Sequence, residues 1–387
     1  MSLSIPRIDY ADERTVRLLL SRLIEPDDRL FAELRQVAAP AEILRAILGR
    51  GSSPPGWPSR LSDRFEARRA GIELKLPGAD PGADLAAGAA VDARFLIPGD
   101  PDWPASLDDL GERAPFGIWI IGRFDQRAPS VAMVGARRCT GYGLLAAAKL
   151  GSELARADTV IVSGAAIGVD GASHRGALHV GGTTVAVLAC GIDRSYPASH
   201  EALIQTIGQR GAVLAELPPG SRPTRFRFLS RNRLIAALGM ATVVVEAAVR
   251  SGSLVTARLA AELGRAVFAV PGPVTSIEST GTNRLLCDGA IPAVDGPQVL
   301  AELGIEVARP VEQRPTESDT PSAGPELDPR AVLVREALPT ARSGRAAEVL
   351  VLAAETGLAP AEVLALLGQL AAVGQAVRTG GGWALGR

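Results

Sequence analysis

SVAMVGARRCTGYG, residues 130–143, has the pattern of a buried strand that passes through a glycine-rich turn into a helix. The run VAMVG has no polar position, which is typical of a parallel strand covered by helices on both faces of its sheet. The glycines that follow permit a tight turn. The stretch therefore predicts one βα unit of an α/β domain.

Five further apolar runs follow along the chain and alternate with segments of helical periodicity. Six such strands with intervening helices predict an α/β fold with a Rossmann-like, doubly wound and mainly parallel sheet. Ligands of such folds bind beyond the carboxyl ends of the strands, so the residues just after each run are the first candidates for a site. The five runs are TVIVSG (159–164), TVAVLAC (184–190), AVLAEL (212–217), TVVVEA (242–247) and AVFAVPG (266–272).

The 387 residues exceed the length of a typical single domain, and their pattern predicts three folded regions. Leucines and isoleucines at helical spacing indicate a small N-terminal helical domain, residues 1–90, with a loop-like interruption over 77–90. The sheet belongs to an extended Rossmann-like domain, residues 91–304. Proline-rich, polar sequence indicates a flexible linker over 305–330. Two helical segments and a hairpin over 331–387 are the profile of a winged-helix-like domain.

The composition predicts a packed protein without overall attraction to nucleic acid. Hydrophobic residues make up 47% of the chain, charged residues 21%, and the net charge is −1, although a local basic patch can still bind an anion. The three cysteines, Cys139, Cys190 and Cys287, are scattered without CxxC spacing, so we expect reduced and buried thiols. The sequence has no apolar signal core and no run of 18 apolar residues. We expect a cytoplasmic location and no membrane span.

Three glycine-rich turns follow predicted strands and open helices. The first, GARRCTGYG (135–143), matches neither the dinucleotide-binding fingerprint nor a P-loop, but it places Arg137 and Arg138 beside a helix N-terminus. Glycine lets backbone amides approach an anion, and arginine offers a fork that fits phosphate. The turns therefore predict an anion site at one edge of the sheet. The second and third turns, SGAAIGVDGASHRGAL (163–178) and EAAVRSGSLVTARLA (246–260), contribute Ser163, Gly164, Gly168, Asp170, His174, Ser251, Gly252 and Thr256.

The stretch SRPTRFRFLSRNR (221–233) holds five arginines and two phenylalanines without any acidic residue, and we expect a helix to begin near Ser230. Like charges at this density repel one another unless an anion lies nearby. Guanidinium groups hold phosphates and aromatic rings stack bases in proteins that bind single-stranded nucleic acid. We therefore expect an arginine-rich pocket for single-stranded DNA. The alternative is a solvated arginine-rich loop whose two rings pack into the core.

Acidic residues also lie near the predicted strand ends, at Asp170, Glu216 and Glu246. A carboxylate near His174 could perform acid–base work, but no nucleophile and base are arranged in a recognisable pattern. His174 and His179 are five residues apart and face different sides of a helix, which argues against a metal pair. We expect these acidic groups to cap turns or to pair with arginines, and we expect no catalytic residue, no metal and no cofactor.

Six motifs resemble, in order and spacing, those of the DprA/Smf family, and the resemblance covers about residues 95–300. It implies a non-enzymatic role: members bind single-stranded DNA during natural transformation, dimerise, and help to load a RecA-type recombinase. The N-terminal helices (similar to SAM or helix-hairpin-helix modules) and the winged-helix-like C-terminus match the family's optional flanking domains more loosely. The motifs are VAMVGARRCTGYG, SGAAIGVDGASHRGAL, TVAVLACGIDRSYPASHEAL, FLSRNRLIAALG, VVEAAVRSGSLVTARLAAELGRAVFAVPG and GTNRLLCDGA.

The resemblance also implies roles for individual residues. It makes Arg137 the phosphate-contacting arginine and Asp170 the structural acid of the second turn. The sequence departs from some members at Ala198, where they carry a lysine that helps to hold DNA. The implied DNA-contacting residues are Arg137, Ser163, Gly164, Gly168, Arg225, Phe228, Arg231 and Asn232. The implied structural residues at the pocket are Asp170, His174, Glu246, Ser251, Gly252 and Thr256.

Two other functions stay open on the sequence alone. Glu246, followed by SGSLVT, superficially resembles the site of nucleoside-monophosphate hydrolases with related folds, although their PGGxGT-type turn is missing here. The chain could also be an adaptor whose C-terminal region docks a protein or duplex DNA.

Overall fold

The computed structural model of the chain describes residues 9–49, 53–54, 56–305, 329–339, 346–356, 358–372, 375–379 and 382–386. The chain divides into two compact units at about residue 308. The first unit contains the N-terminal helices and a large sheet. The second unit contains three helices and a hairpin among its described residues.

The helices and strands are numbered in chain order. The helices are α1 (Glu13–Leu23), α2 (Arg29–Arg35), α3 (Pro40–Leu48), α4 (Ser59–Glu73), α5 (Pro81–Ala89), α6 (Gly141–Arg156), α7 (Val169–His179), α8 (Glu201–Arg210), α9 (Arg225–Leu238), α10 (Gly252–Glu262), α11 (Thr280–Cys287), α12 (Gly296–Glu302), α13 (Pro329–Ala337), α14 (Val349–Thr356) and α15 (Pro360–Ala372). The strands are β1 (Arg94–Leu96), β2 (Ile118–Gly122), β3 (Ser130–Val134), β4 (Val160–Ser163), β5 (Thr184–Leu188), β6 (Ala212–Ala215), β7 (Ala241–Val244), β8 (Ala266–Ala269), β9 (Ile291–Pro292), β10 (Ala376–Thr379) and β11 (Gly382–Leu385). Short 3-10 helices span Leu76–Gly78, Ala105–Arg113, Ala198–His200 and Ile277–Ser279.

Nine strands of the described residues form one sheet in the order β1-β2-β6-β5-β4-β3-β7-β8-β9. Strands β3 to β9 pair in parallel, whereas β1 and β2 add an antiparallel edge next to β6. The six predicted strands are present as β3 to β8, so the predicted α/β fold with a mainly parallel sheet is confirmed. The prediction omits β1, β2 and β9. Strands β1 and β2 are antiparallel and depend on pairing with segments outside the βα alternation, whereas β9 continues the alternation after α11 but has only two residues.

The order of the parallel strands reverses direction at β3. The chain runs outward from β3 through β4, β5 and β6 on one side, and then returns to pair β7 with the other side of β3. At such a switch point the helices of neighbouring connections lie on opposite faces of the sheet, which leaves a crevice at the carboxyl ends of the strands. The residues that follow β3 and β7 therefore border an opening.

The N-terminal segment contains helices α1 to α5, which enclose a core that includes Leu20, Leu34, Leu44 and Phe65. The expectation of a loop over 77–90 is wrong, because α5 lies within it. Asp80 caps this helix by accepting hydrogen bonds from two backbone amides, and a proline occupies the first turn, where no intrahelical hydrogen bond is lost. The proline and glycine content that suggests a loop marks a helix start here.

Helix α9 begins at Arg225 and not near Ser230 as expected. The Thr224 side chain caps the helix by accepting a hydrogen bond from the Arg227 amide, so the basic stretch is helical over most of its length. The difference matters for the site, because the arginines and phenylalanines now project from a rigid element.

The second unit contains α13, α14, α15 and the β10–β11 hairpin, whose core includes Val334, Leu352, Val363 and Leu367. The sequence predicts two helices in this region, whereas its described residues contain three. Helix α13 begins at Pro329, within the predicted linker. The remainder of that linker, residues 306–328, lies outside the described residues. Among the described residues no single helix is long and apolar enough to cross a membrane, and α14 and α15 reach that length only when the two helices, which are bent at the break between them, are taken together.

The three cysteines are free thiols in different surroundings. Cys190 is buried, Cys139 is half-buried, and Cys287 is exposed. The expectation that all three are buried is therefore wrong for Cys287, which lies in the last turn of α11.

Candidate nucleic-acid interface

A cavity of about 570 Å³ opens at the carboxyl ends of β3 and β7, at the switch point of the sheet. Its walls come from the turn after β3, the turn and first residues of α7, one face of α9, and the N-terminus of α10. The structure thereby brings together segments that are more than a hundred residues apart in the chain. The predicted site residues that line it are Arg137, Asp170, Arg225, Phe228, Arg231, Asn232, Ser251, Gly252 and Thr256.

Arg137 and Phe228 form the most distinctive contact of the cavity. The guanidinium carbon of Arg137 lies 4.2 Å from the ring centroid of Phe228. The ring of Tyr196 packs against the same phenylalanine at 5.5 Å between centroids. Arg137 is exposed and forms no ion pair within the described part of the chain. A cation that is ordered by the ring and has no ion-pair partner among the described residues therefore faces the opening, with the buried Asp170 as the carboxylate that acts on it through its charge.

Arg231 and Asp170 form the floor of the cavity. Arg231 is 5% exposed, donates a hydrogen bond to the Val187 carbonyl, and has a buried Nε without a partner among the described groups. Burial lowers the pKa of Arg231 to about 10. Asp170 is also buried, accepts a 3.4 Å hydrogen bond from the Ala166 amide, and has its pKa raised by burial. The charge of Arg231 opposes this rise in the pKa of Asp170, so the two groups partly compensate each other, but the buried Arg231 Nε is left without a partner among the described groups, which is costly unless a polar ligand supplies one.

The opposite wall combines α9 with the N-terminus of α10. Arg225 is exposed and forms no ion pair among the described residues. Asn232 joins the two helices by donating a 3.2 Å hydrogen bond to the Gly252 carbonyl. Ser251 caps α10, which has eleven residues and points its positive end at the cavity. The arrangement offers cations and backbone amides, the groups that bind phosphate.

Three residues of the second glycine turn lie behind the cavity wall rather than on it. The Ser163 hydroxyl is fully buried and donates a 2.5 Å hydrogen bond to the Met133 carbonyl. Gly164 lies under Arg231, and a Cβ atom there would overlap the guanidinium group. Gly168 has a φ of 89° and approaches the backbone carbonyls of Ala136 and Arg137. These residues are placed to hold the turns together.

Glu246 and His174 also lie away from the cavity lining. Glu246 is 1% exposed and accepts hydrogen bonds from the amide and hydroxyl of Thr140 at 2.8 and 2.6 Å, which fixes the N-terminus of α6. His174 is fully buried, with Nδ1 2.6 Å from the Thr184 hydroxyl. Burial lowers its pKa to about 3, so it is neutral. Neither group is placed to act on a ligand in the cavity.

Two arginines of the basic stretch have carboxylate partners that the local sequence does not reveal. Arg227 pairs with Glu25 at 2.9 Å, and Arg233 pairs with Glu216 at 2.7 Å. The pair of Arg233 with Glu216 agrees with the expectation that acidic groups near the strand ends pair with arginines, whereas Glu25, the partner of Arg227, lies outside the stretch and is not anticipated from the sequence. The inferred excess of positive charge is smaller than the sequence suggests and is concentrated on the cavity side.

Sequence reasoning misses Tyr196 and Leu229 as parts of the cavity wall. Leu229 lies on the same helix face as Arg225 and Asn232, a relation that follows from helical spacing once the true start of α9 is known. Tyr196 lies in the loop after β5. Its position beyond a strand's carboxyl end is the signal that could have identified it.

Comparison with known proteins gives one consistent family. Residues 94–304 match the family described as DNA recombination-mediator protein A. A DprA-type DNA processing protein of Mycobacterium tuberculosis is 40% identical over 383 residues, which is 93% of this chain and 95% of that protein. The DNA processing protein DprA of Streptococcus pneumoniae is 41% identical over 204 residues, covering 52% of this chain and 72% of its own length.

The fold has a solved counterpart. The X-ray structure of DNA processing protein A from Streptococcus pneumoniae superposes with a TM-score of 0.58 at 30% sequence identity. The match covers 77% of this chain and 99% of that chain. The residues that match the family, 94–304, include the nine-stranded sheet and the segments that form the cavity.

Proposed function

This chain belongs to the DNA recombination-mediator protein A (DprA/Smf) family, whose members are DNA-binding recombination mediators and not enzymes, and we propose that it binds single-stranded DNA in the cavity at the sheet switch point. The observation that carries the proposal is the pair of exposed arginines, Arg137 and Arg225, which face one opening without carboxylate partners among the described residues. A strand of phosphates supplies the missing negative charge.

Each wall has a role in this proposal. Arg137, Arg225 and the N-terminal amides of α10 hold phosphates, and the buried Arg231 adds positive potential from the floor. A base stacks on the exposed face of the Arg137 guanidinium in the cavity, or outside the cavity lining on Phe226, which is 51% exposed. Ser163, Gly164, Gly168 and Asp170 support the turns that carry these groups. Phosphate contacts carry no sequence information, so base specificity is slight.

The size of the cavity favours a single strand over a duplex. A volume of about 570 Å³ suits one or two nucleotides and not the cross-section of a double helix. Its lining mixes cations with aromatic and aliphatic side chains, the combination that accepts unstacked bases.

The proposal is tested by titrating a fluorescent single strand of about 20 nucleotides, and the matching duplex, at two salt concentrations. We expect the single strand to bind more tightly, and Arg137→Ala to weaken it by roughly tenfold or more, since a charged hydrogen bond is lost. The slope of log K against log salt becomes shallower by about 0.7 when one phosphate contact is lost. The matched control is Arg138→Ala, which removes the same charge from the adjacent exposed residue outside the cavity.

If Arg137→Ala and Arg138→Ala lose the same affinity for the single strand, binding in the cavity is contradicted and only general electrostatic attraction remains. The hydrolase reading of Glu246 is a separate question, which the family assignment and the position of this residue both disfavour. Release of free base from a nucleotide, abolished in Glu246→Gln, would reverse that conclusion.

We also propose the finer family roles as expectations for this chain. It acts as a homodimer in the cytoplasm, and it helps to load a RecA-type recombinase during transformation or recombination. Residues 1–90 form a SAM or helix-hairpin-helix-like domain, 91–304 the extended Rossmann-like domain, 305–330 a linker, and 331–387 a winged-helix-like domain. The loading role is tested by RecA-type ATPase activity on strands coated with single-strand-binding protein: stimulation by the wild type but not by Arg137→Ala supports it, and equal stimulation by both contradicts it.

A further inference from the structure

Helix α9 connects the proposed DNA site to the N-terminal helices. Arg225, Phe228 and Asn232 recur at helical spacing and line the cavity. Arg227 and Arg233 leave the helix in other directions and contact the turn between α1 and α2, residues 24–28. The helix that presents the DNA-contacting side chains is therefore also held from a second side.

The first contact of this turn is a paired hydrogen bond from Arg227. Its Nε and Nη2 atoms each donate to one carboxylate oxygen of Glu25 at 2.9 Å, and its Nη1 atom donates to the Arg222 carbonyl at 2.7 Å. Burial alone would raise the pKa of Glu25, but the hydrogen bonds and charge of Arg227 outweigh it and lower the pKa. Both groups are charged at neutral pH. A bidentate ion pair of this kind fixes the orientation of the two side chains as well as the distance between them.

The second contact is centred on Arg233, which is 1% exposed. Its Nη atoms donate to the two carboxylate oxygens of Glu216 at 2.7 Å each, and its Nε atom donates to the Arg113 carbonyl at 2.9 Å. The Asp27 carboxylate lies 3.7 Å from the same Nε atom and accepts two 2.8 Å hydrogen bonds from the Arg113 guanidinium. The turn and the sheet domain thus share one network of charges.

The turn has a defined backbone geometry of its own. Asp27 has a φ of 59°, in the left-handed region that residues other than glycine seldom occupy. Asp28 caps α2 by accepting a 3.0 Å hydrogen bond from the Leu30 amide. A residue stays in such a conformation when its surroundings hold it there, and the Asp27 contacts with Arg113 and Arg233 supply that support. The same contacts hold the turn against α9 through Arg233.

We propose that the turn between α1 and α2 is a positioning element for the DNA-binding helix: Glu25 and Asp27 hold Arg227 and Arg233, and thereby fix the rotation of α9 that presents Arg225, Phe228 and Asn232 to the cavity. The inference rests on the proposed function of the cavity. It gives the N-terminal helices a part in DNA affinity without any contact between them and DNA.

A competing account makes the opposite prediction. If Glu25 merely masks positive charge, its neutralisation frees Arg227 and Lys75, which lies 3.3 Å from the same carboxylate. DNA would then bind more tightly and with a steeper salt slope, by about 0.7 for each added phosphate contact. Positioning instead predicts weaker binding with an unchanged slope, because the number of cations at the cavity stays the same.

The test compares Glu25→Gln with wild type in the full-length chain, by single-strand titration and by hydrogen exchange of the peptide 222–240 without DNA. We expect roughly fivefold weaker binding, an unchanged salt slope, and faster exchange in α9. The matched control is Glu33→Gln, since Glu33 also pairs with two arginines, Arg60 and Arg64, but none of its pairs involves α9. Arg227→Gln and the Glu25→Gln/Arg227→Gln double variant complete a double-mutant cycle. We expect the double variant to lose no more single-strand affinity than either single variant.

The outcomes separate the claims. Tighter binding of Glu25→Gln, or unchanged binding with unchanged exchange, overturns the positioning role. Loss of affinity in Arg227→Gln but not in Glu25→Gln also overturns it, because Arg227 would then contact DNA directly. Failure of wild type to bind any single strand defeats the proposed function itself, and the DNA-free exchange experiment still decides whether the turn orders α9. If Glu25→Gln does not fold, Arg227→Gln is judged by its salt slope and by exchange without DNA: weaker binding with an unchanged slope and faster exchange in α9 supports positioning, whereas a slope shallower by about 0.7 indicates a lost phosphate contact and overturns it.

Discussion

Phe228 links the aromatic and cationic parts of the cavity at the scale of single residues. Arg137 lies over its ring at 4.2 Å, and Tyr196 supports the ring from beside it. A cation over an aromatic face contributes about 0.5–1 kcal/mol at an exposed site. The contact also restricts a long side chain before the ligand arrives, which reduces the entropy lost on binding.

We therefore expect Phe228→Leu to weaken single-strand binding about two- to fivefold, because the Arg137 guanidinium loses its support. Phe228→Tyr retains an aromatic face and is expected to bind like the wild type. Fluorescence titration measures both. Unchanged affinity in Phe228→Leu would show that the ordering of Arg137 by the ring does not matter.

His174 is a second residue whose surroundings have a measurable consequence. The Thr184 hydroxyl donates to the Ile161 carbonyl at 2.7 Å, so it accepts the hydrogen bond from His174 Nδ1. The Nε2 atom has no partner among the described groups. Burial lowers the pKa of His174 to about 3. Since the unfolded chain takes up this proton near pH 6.5, acidification favours unfolding.

The sign of this effect fixes its pH window. The stabilisation is fully present above pH 6.5 and is lost between there and about pH 3, at about 1.4 kcal/mol per pH unit. From pH 7 to pH 5 we expect the wild type to lose about 2 kcal/mol more unfolding free energy than His174→Gln, which cannot take up a proton. Urea unfolding at the two pH values measures the difference. If the wild type and His174→Gln lose the same unfolding free energy between pH 7 and pH 5, the contribution of His174 is contradicted.

At the scale of elements, the glycine at the start of α7 allows two turns to approach each other. Gly168 has a φ of 89°, and a Cβ atom there would meet the carbonyl oxygens of Ala136 and Arg137. The turn after β3 and the start of α7 are thus packed backbone against backbone. The position of Arg137 depends on this approach.

We expect Gly168→Ala to destabilise the protein by about 1–3 kcal/mol and to weaken single-strand binding, because both the left-handed backbone and the close approach are disturbed. Gly141→Ala is the matched control, since a Cβ atom there meets nothing within 4 Å. Thermal unfolding and titration measure the two effects. Equal behaviour of the two variants would show that the approach of the turns is not required.

The elements also show how far sequence reasoning reaches. Strands β3 to β8 follow from their apolar runs, since β3 to β7 are buried along their whole length and β8 over its last two residues. Helix α5 does not follow, because Pro81 and Gly82 suggest a loop until the capping role of Asp80 is seen. The site residues on turns are found by their glycines and arginines. An arginine partner for Glu216 is anticipated from its place near a strand end, but the pairing of Arg227 with Glu25 is not, because Glu25 reaches it only through a tertiary contact from the turn between α1 and α2.

At the scale of the whole molecule, the charge distribution explains how a chain with a net charge of −1 can bind an anion. Carboxylates neutralise Arg113, Arg227 and Arg233 on the side that faces the N-terminal helices. Arg137 and Arg225 stay without such partners in the described structure. The local field at the cavity, rather than the total charge, governs attraction of a phosphate chain.

The cavity lies entirely within the first compact unit, so DNA affinity is expected to depend on that unit alone. A chain ending at residue 308 should bind the single strand within roughly twofold of the full-length protein, as independent contributions are nearly additive. Titration of both chains with the single strand and with duplex DNA provides the measurement, and circular dichroism confirms that the shorter chain is folded. A tenfold loss of single-strand affinity in a folded truncated chain would assign DNA contacts to the second unit. Selective loss of duplex binding would instead favour a separate docking role for that unit, since its helices and hairpin would then recognise a different form of DNA.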